Sequence, residues 1–180
     1  MTNTQSKTAR LAKMAMLVAI SIVLVAIVRF PIFPAVAFLE YDPADIPIMV
    51  GTFAFGPGAG ILLTVVTSVL QGVTVSAKSG AYGIIMHIIA TSTLVIAAGL
   101  IYRKEKTKKH AIMGLLCGTA AMTLIMIAAN LVITPLFMGV PRSAVWDLMP
   151  FIAAFNVVKA GVNSLVTFLI YKRISPFLHR

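Results

Sequence analysis

Residues 151–171 read FIAAFNVVKAGVNSLVTFLIY, an apolar run long enough to cross a bilayer that nevertheless carries Asn156, Lys159 and Asn163. The three fall on one helical face, because steps of three and four residues advance about one turn each. An ammonium at the centre of a membrane helix costs about 2.5 to 3.5 kcal/mol on insertion scales, so a chain that keeps one there uses it inside a bundle, against a partner or a ligand. No other apolar run offers a carboxylate to pair with it. The plainer alternative is a lysine that snorkels to one surface or bonds helix-end carbonyls.

The rest of the chain has the same character. Of its 180 residues 59% are hydrophobic and 11% charged, with a mean hydropathy of +0.99, whereas soluble domains carry about 25% charged residues. The expectation is an all-α, polytopic membrane protein, folded as a single domain over residues 1–180. A net charge of +10 would point to nucleic acid in a soluble chain. Here the basic residues gather at the ends of apolar runs, where they set topology, and no nucleic-acid partner is expected. The single cysteine, Cys117, has no second thiol with which to pair or share a metal.

Apolar windows fall near residues 11–29, 46–76, 82–102, 111–134 and 148–171, each near or above the roughly 20 residues of a spanning helix. The second is too long for one helix and is interrupted by Gly56-Pro57-Gly58, which favours a turn and removes a backbone donor. Two helices there, a short one before the break and a longer one after, make six transmembrane helices in one bundle. Charge parity supports that count, because basic residues in short loops stay on the cytoplasmic side. Lys7, Arg10 and Lys13 precede the first helix, Arg103 to Lys109 follow the fourth, and Lys172, Arg173 and Arg180 follow the last, so an even number of spans separates them. Both termini are then cytoplasmic, and Glu40, Asp42, Asp45 and Asp147 lie outside with no acidic residue inside a span. The alternative for the N-terminus is a secretory signal, with basic residues, an apolar stretch and Ala35-Val36-Ala37 as a cleavage site. Arg29, Pro31 and Pro34 interrupt that outline, and the segment reads better as the first membrane helix.

The longest loop, Phe30 to Asp45, is stiffened by prolines and carries Phe33, Phe38, Leu39 and Tyr41, so it either covers a pocket or packs at the membrane interface. In the fifth helix Thr123, Asn130 and Thr134 share a face. The fifth helix runs outward and the sixth inward, bringing Asn130 and Asn156 to similar depth. Two carboxamides and an ammonium around one cavity suit a neutral, hydrogen-bonding ligand; alternatively the asparagines bridge helices, a use worth about 1 kcal/mol or less. His87 is either a pocket donor or an interhelical histidine. Ala15 and Ala19 form a small-xxx-small pattern that admits a close helix crossing. No metal-ligand spacing, hydrolytic triad or nucleotide-binding motif is present, so the chain does not read as an enzyme, and active transport would draw its energy from another subunit.

Three segments together resemble a known family. They are Asp42-Pro43-Ala44-Asp45-Ile46-Pro47 leading into Gly51 to Gly60, Asn130 followed by Pro135-Leu136, and Phe155-Asn156-Val157-Val158-Lys159-Ala160-Gly161. They are similar to the riboflavin-specific S-component of the energy-coupling-factor (ECF) vitamin transporters of prokaryotes, and the likeness extends over nearly the whole chain. The resemblance implies a multi-pass subunit of the prokaryotic plasma membrane that captures riboflavin from outside as a transported substrate, with no cofactor. It implies binding by Asn130, Asn156 and Lys159, with Tyr41, Asp45, His87 and Asn163 around them. It further implies docking through Ala15 and Ala19 onto a transmembrane coupling subunit driven by two cytoplasmic ATPases. The chain departs from the family at Thr67 and Ser68, where lysine and asparagine are expected, and at His87, where asparagine is usual. An S-component for pantothenate, folate or a pyridoxine form, or a structural membrane protein, is the alternative reading.

Overall fold

The computed structural model describes residues 3–179, and within them the side chains of residues 7–174. Seven α-helices run α1 (Asn3–Ile27), α2 (Asp45–Phe55), α3 (Pro57–Val73), α4 (Gly80–Lys104), α5 (Lys108–Met138), α6 (Arg142–Asp147) and α7 (Met149–His179). The fold is all-α, and four segments, Lys7–Ile27, Ala77–Lys104, Lys108–Met138 and Met149–Ile174, are long and apolar enough to cross a membrane. The apolar window at 46–76 is divided where expected, into a short helix and a longer one. With eleven residues, α2 is only about 16 Å long, roughly half the hydrocarbon thickness, and α3 has seventeen.

The division lies at Gly56, whose φ of 93° is open to glycine and strained for other residues, with Pro57 opening the next helix. The two helices fold back on each other. A Cβ added at Gly60 would lie 2.2 Å from Thr52 Oγ1, and one at Gly51 would lie 2.3 Å from Leu63 Cδ1, so both glycines are places of close helix approach. The pairings 52 with 60 and 51 with 63 describe an antiparallel hairpin centred on the Gly-Pro turn. Small residues do the same for α4 and α5, where a Cβ at Gly114 would come within 2.8 Å of Ala98 O. On α1, Met14, Leu17 and Val18 are buried and Ala15 and Ala19 exposed, so the alanine face is turned out of the bundle.

The described members of the three basic clusters lie at the Gly56 end, and Arg180 lies outside the described residues. Arg10 donates to Phe55 O at 3.1 Å, Arg103 and Lys106 line the same hollow as Gly56, and Tyr171, just before Lys172, packs on Phe53 and Tyr102. At the opposite end, the depth that short α2 leaves unfilled is occupied by the segment between α1 and α2. Phe30–Pro31 pairs antiparallel with Glu40–Tyr41, and a 3-10 turn at Pro34–Val36 lies between them. Val36 is wholly buried against Val145 of α6 and Ile152 of α7. The loop is thus an inserted plug rather than a surface cover, and α6, a short helix the hydropathy pattern does not resolve, helps to hold it.

Candidate functional site

The plug carries two carboxylates into the bundle. Asp42 is 4% and Asp45 0% exposed, so these two acidic residues, expected on the outer side and outside the spans, are nevertheless buried. The physical reason is the shortness of α2: its first turn begins in the interior, so the residues before it are drawn inward as well. Lys159, ten residues beyond the start of α7 at Met149, lies about 15 Å along that helix. Its Nζ donates to Asp42 Oδ2 at 2.7 Å, with both groups buried. The lysine therefore has a carboxylate partner after all, supplied by a loop and not by another apolar run. Asp42 Oδ1 also accepts from the backbone N–H of Ala44 at 3.1 Å, which fixes the carboxylate at the entry to α2.

Asp45, at the start of α2, ties that helix to α4 and α7. Its Oδ1 accepts from Thr91 Oγ1 at 2.7 Å and lies 3.5 Å from His87 Nε2, both on α4. Its Oδ2 accepts from Asn163 Nδ2 of α7 at 3.0 Å. The same Nδ2 donates to Asp42 O at 3.1 Å, while Asn163 Oδ1 accepts from Tyr41 O–H at 2.9 Å. Asn163 and Tyr41 accordingly fasten the plug to α7. Burial raises the Tyr41 phenol above its ordinary pKa, and the neighbouring Asp42 and Asp45 carboxylates push it the same way, so it stays a proton donor at neutral pH.

Above this network opens a cleft of about 800 Å³ counting its open mouth. Asn156, Lys159 and Phe155 line it from α7, Ser68 and Gln71 from α3, His87 from α4, and Leu39 and Asp42 from the plug. Asn130 lies in a neighbouring lobe of about 420 Å³ with Thr134 and Phe137. The lobes share Phe38, Leu39, Met86 and Met126, so the asparagine borders a continuation of the cleft. A contact of 3.3 Å between Thr119 Oγ1 and Ser164 Oγ sets the antiparallel register of α5 and α7. Counting outward from it puts Asn130 opposite Ala153, within one turn of Asn156, so the two carboxamides do reach similar depth. Each also donates within its own helix, Asn130 to Met126 O at 2.7 Å and Asn156 to Ile152 O at 2.8 Å, and Asn130 Oδ1 accepts from Thr134 Oγ1 at 2.7 Å. Both amides are thereby held in one orientation.

Four of the seven expected binding residues, Asn130, Asn156, Lys159 and His87, therefore line the cleft or its lobe, while Asp45, Tyr41 and Asn163 lie behind them and support them. Sequence reasoning missed Asp42, Ser68, Gln71 and Thr91. The signal for Asp42 was available: a buried lysine requires a counter-charge, and the carboxylates of Asp42 and Asp45 immediately precede an apolar helix. The charges in the cleft are compensated in pairs, Lys159 by Asp42 and Arg29 by Glu40 at 3.1 Å. Among the described residues no cluster of histidine, cysteine and carboxylate groups is placed to hold a metal ion.

Fold and site together define a polytopic membrane protein with a ligand cleft between its helices and a plug over their short partner. The sequence model described as the ECF transporter, substrate-specific component, matches residues 9–171, and the chain belongs to that family. It is 30% identical over 178 residues to the riboflavin transporter RibU of Staphylococcus aureus (strain TCH60), covering 95% of this chain and 93% of that protein. It is 29% identical over 184 residues to the riboflavin transporter FmnP of Bacillus subtilis (strain 168), with 97% and 96% covered. A solved S component of a bacterial ECF transporter superposes with a TM-score of 0.82 at 31% identity, covering 97% of this chain and 99% of that one. These relatives are transporters, in line with the expectation that the chain is not an enzyme.

Proposed function

We propose that the chain is the riboflavin-binding S-component of an ECF transporter, taking the vitamin from outside the cell and passing it inward with a coupling subunit and two cytoplasmic ATPases. The observation that carries this reading is the cleft, in which a fixed ammonium and fixed carboxamides sit beside aromatic and methionine side chains and every cation has a carboxylate partner. A site so neutralised suits an uncharged, planar ligand with several carbonyl and hydroxyl groups. Relatives named as riboflavin transporters share this sequence over almost its full length.

The Gly56 end, with its basic residues, is the cytoplasmic end by the positive-inside tendency, so both termini are cytoplasmic and the plug faces outward. The α2–α3 hairpin then counts as the second and third of six membrane helices, α2 reaching only partway and the plug completing its depth. The exposed Ala15 and Ala19 face of α1 is the coupling surface.

The test is direct. Protein purified in detergent from cells grown with riboflavin should be yellow, and added riboflavin should lose fluorescence on binding to protein stripped of ligand. Protein that emerges colourless and leaves riboflavin fluorescence unchanged, but retains pantothenate, folate or a pyridoxine form, would belong to one of those specificities instead.

A further inference from the structure

The α3 side of the cleft holds a group that neither the packing nor the α7 network uses. Gln71 is 7% exposed and lines the cleft. Its Nε2 donates to Ser76 Oγ at 3.3 Å, while its buried Oε1 has no hydrogen-bond partner among the described residues. A buried carbonyl oxygen left unpaired costs about 1 to 3 kcal/mol, so one aimed at a cavity is a place where a ligand donor is expected. The side chain is not loose. Its backbone carbonyl accepts from the N–H groups of Thr74 and Ser76 at 3.3 and 2.8 Å, and Ser76 Oγ also accepts from Arg29 Nη1 at 3.1 Å. Arg29 in turn pairs with Glu40 and donates to Val75 O.

His87 of α4 flanks it, with both ring nitrogens engaged. Ser68 O–H donates to Thr64 O at 2.6 Å, so the hydrogen between Ser68 Oγ and His87 Nδ1, which are 2.7 Å apart, belongs to the histidine. Its Nε2 faces the Asp45 carboxylate at 3.5 Å, so His87 is held between Ser68 and Asp45. The two sides of the cleft differ in chemistry: α7 presents the Lys159 ammonium, a donor only, whereas α3 presents the unpaired Gln71 acceptor.

We infer that Gln71 reads the hydroxyl groups of the ligand's polyol tail, while the α7 side holds the carbonyl-bearing ring. This rests on the riboflavin reading and extends it to the orientation of the ligand. Arg29 is already paired with Glu40, so the mouth of the cleft favours a tail that carries no charge.

The experiment compares riboflavin with lumiflavin, which has the same ring system but a methyl group in place of the polyol, by fluorescence titration of the purified full chain. Gln71→Leu should weaken riboflavin about tenfold, the scale of a hydrogen bond lost from a buried acceptor, and leave lumiflavin within about twofold of its wild-type affinity. Gln71→Met, closer in length, serves as a second variant and should give the same pattern. Equal losses for the two flavins in both variants, or no loss for riboflavin, would overturn the role of Gln71 while leaving the riboflavin reading intact. Wild-type protein that bound neither flavin would remove both.

Discussion

Lys159 contributes to the protein in two ways that substitution separates. Its ammonium lines the cleft, and it also neutralises Asp42 at 2.7 Å. Lys159→Met should weaken riboflavin binding by about 1.5 to 3 kcal/mol, the loss of a charged donor. It should also destabilise the fold by about 3 to 5 kcal/mol, because it leaves a buried carboxylate unpaired. Adding Asp42→Leu removes that carboxylate, so the double variant should recover most of the lost thermal stability without recovering affinity. Unfolding in detergent followed alongside flavin titration reads the two effects apart, and recovery of both together would mean that the lysine acts only through the plug. At this scale much was legible from sequence, because a lysine and two asparagines in an apolar helix have few uses. Gln71 and Ser68 were not, since glutamine and serine occur in membrane helices for packing as readily as for binding.

The α2–α3 hairpin is the element on which the cleft depends, because a full-length α2 would leave no depth for the plug. Its closest contact is Gly60 against Thr52, whose hydroxyl is already committed to Ile48 O at 2.8 Å. Gly60→Val therefore forces the two helices apart and should cost about 1 to 3 kcal/mol, seen as a lower melting temperature and weaker riboflavin retention. Gly58→Ala, with nothing within 4 Å of the added carbon, should behave as wild type. The turn itself was readable from Gly56-Pro57-Gly58. So was the shortness of its first arm relative to its second; what that shortness admits was not, because hydropathy reports which residues are apolar and not what fills the depth a short helix leaves. The same limit hid α6 and the inward path of residues 28–44, whose burial depends on long-range contacts with α7.

For the whole molecule, the outward Ala15 and Ala19 face separates holding a ligand from moving it. Ala15→Leu with Ala19→Leu adds bulk where nothing in the bundle is disturbed, so riboflavin binding should stay normal while ATP-dependent uptake and co-purification of the coupling subunit are lost. Normal uptake by the double variant would exclude this face as the docking surface. Chain order adds a consequence for biogenesis. The ion pair that ties the plug to α7 joins residues 117 positions apart, so the ribosome finishes Asp42 long before it makes Lys159. Until α7 emerges, both carboxylates lack their ammonium, and water is the better solvent for them. The nascent protein therefore keeps its first loop in water until α7 is made, and α7 draws it in. Formation of the binding site thus waits for α7, however early the plug itself is synthesised.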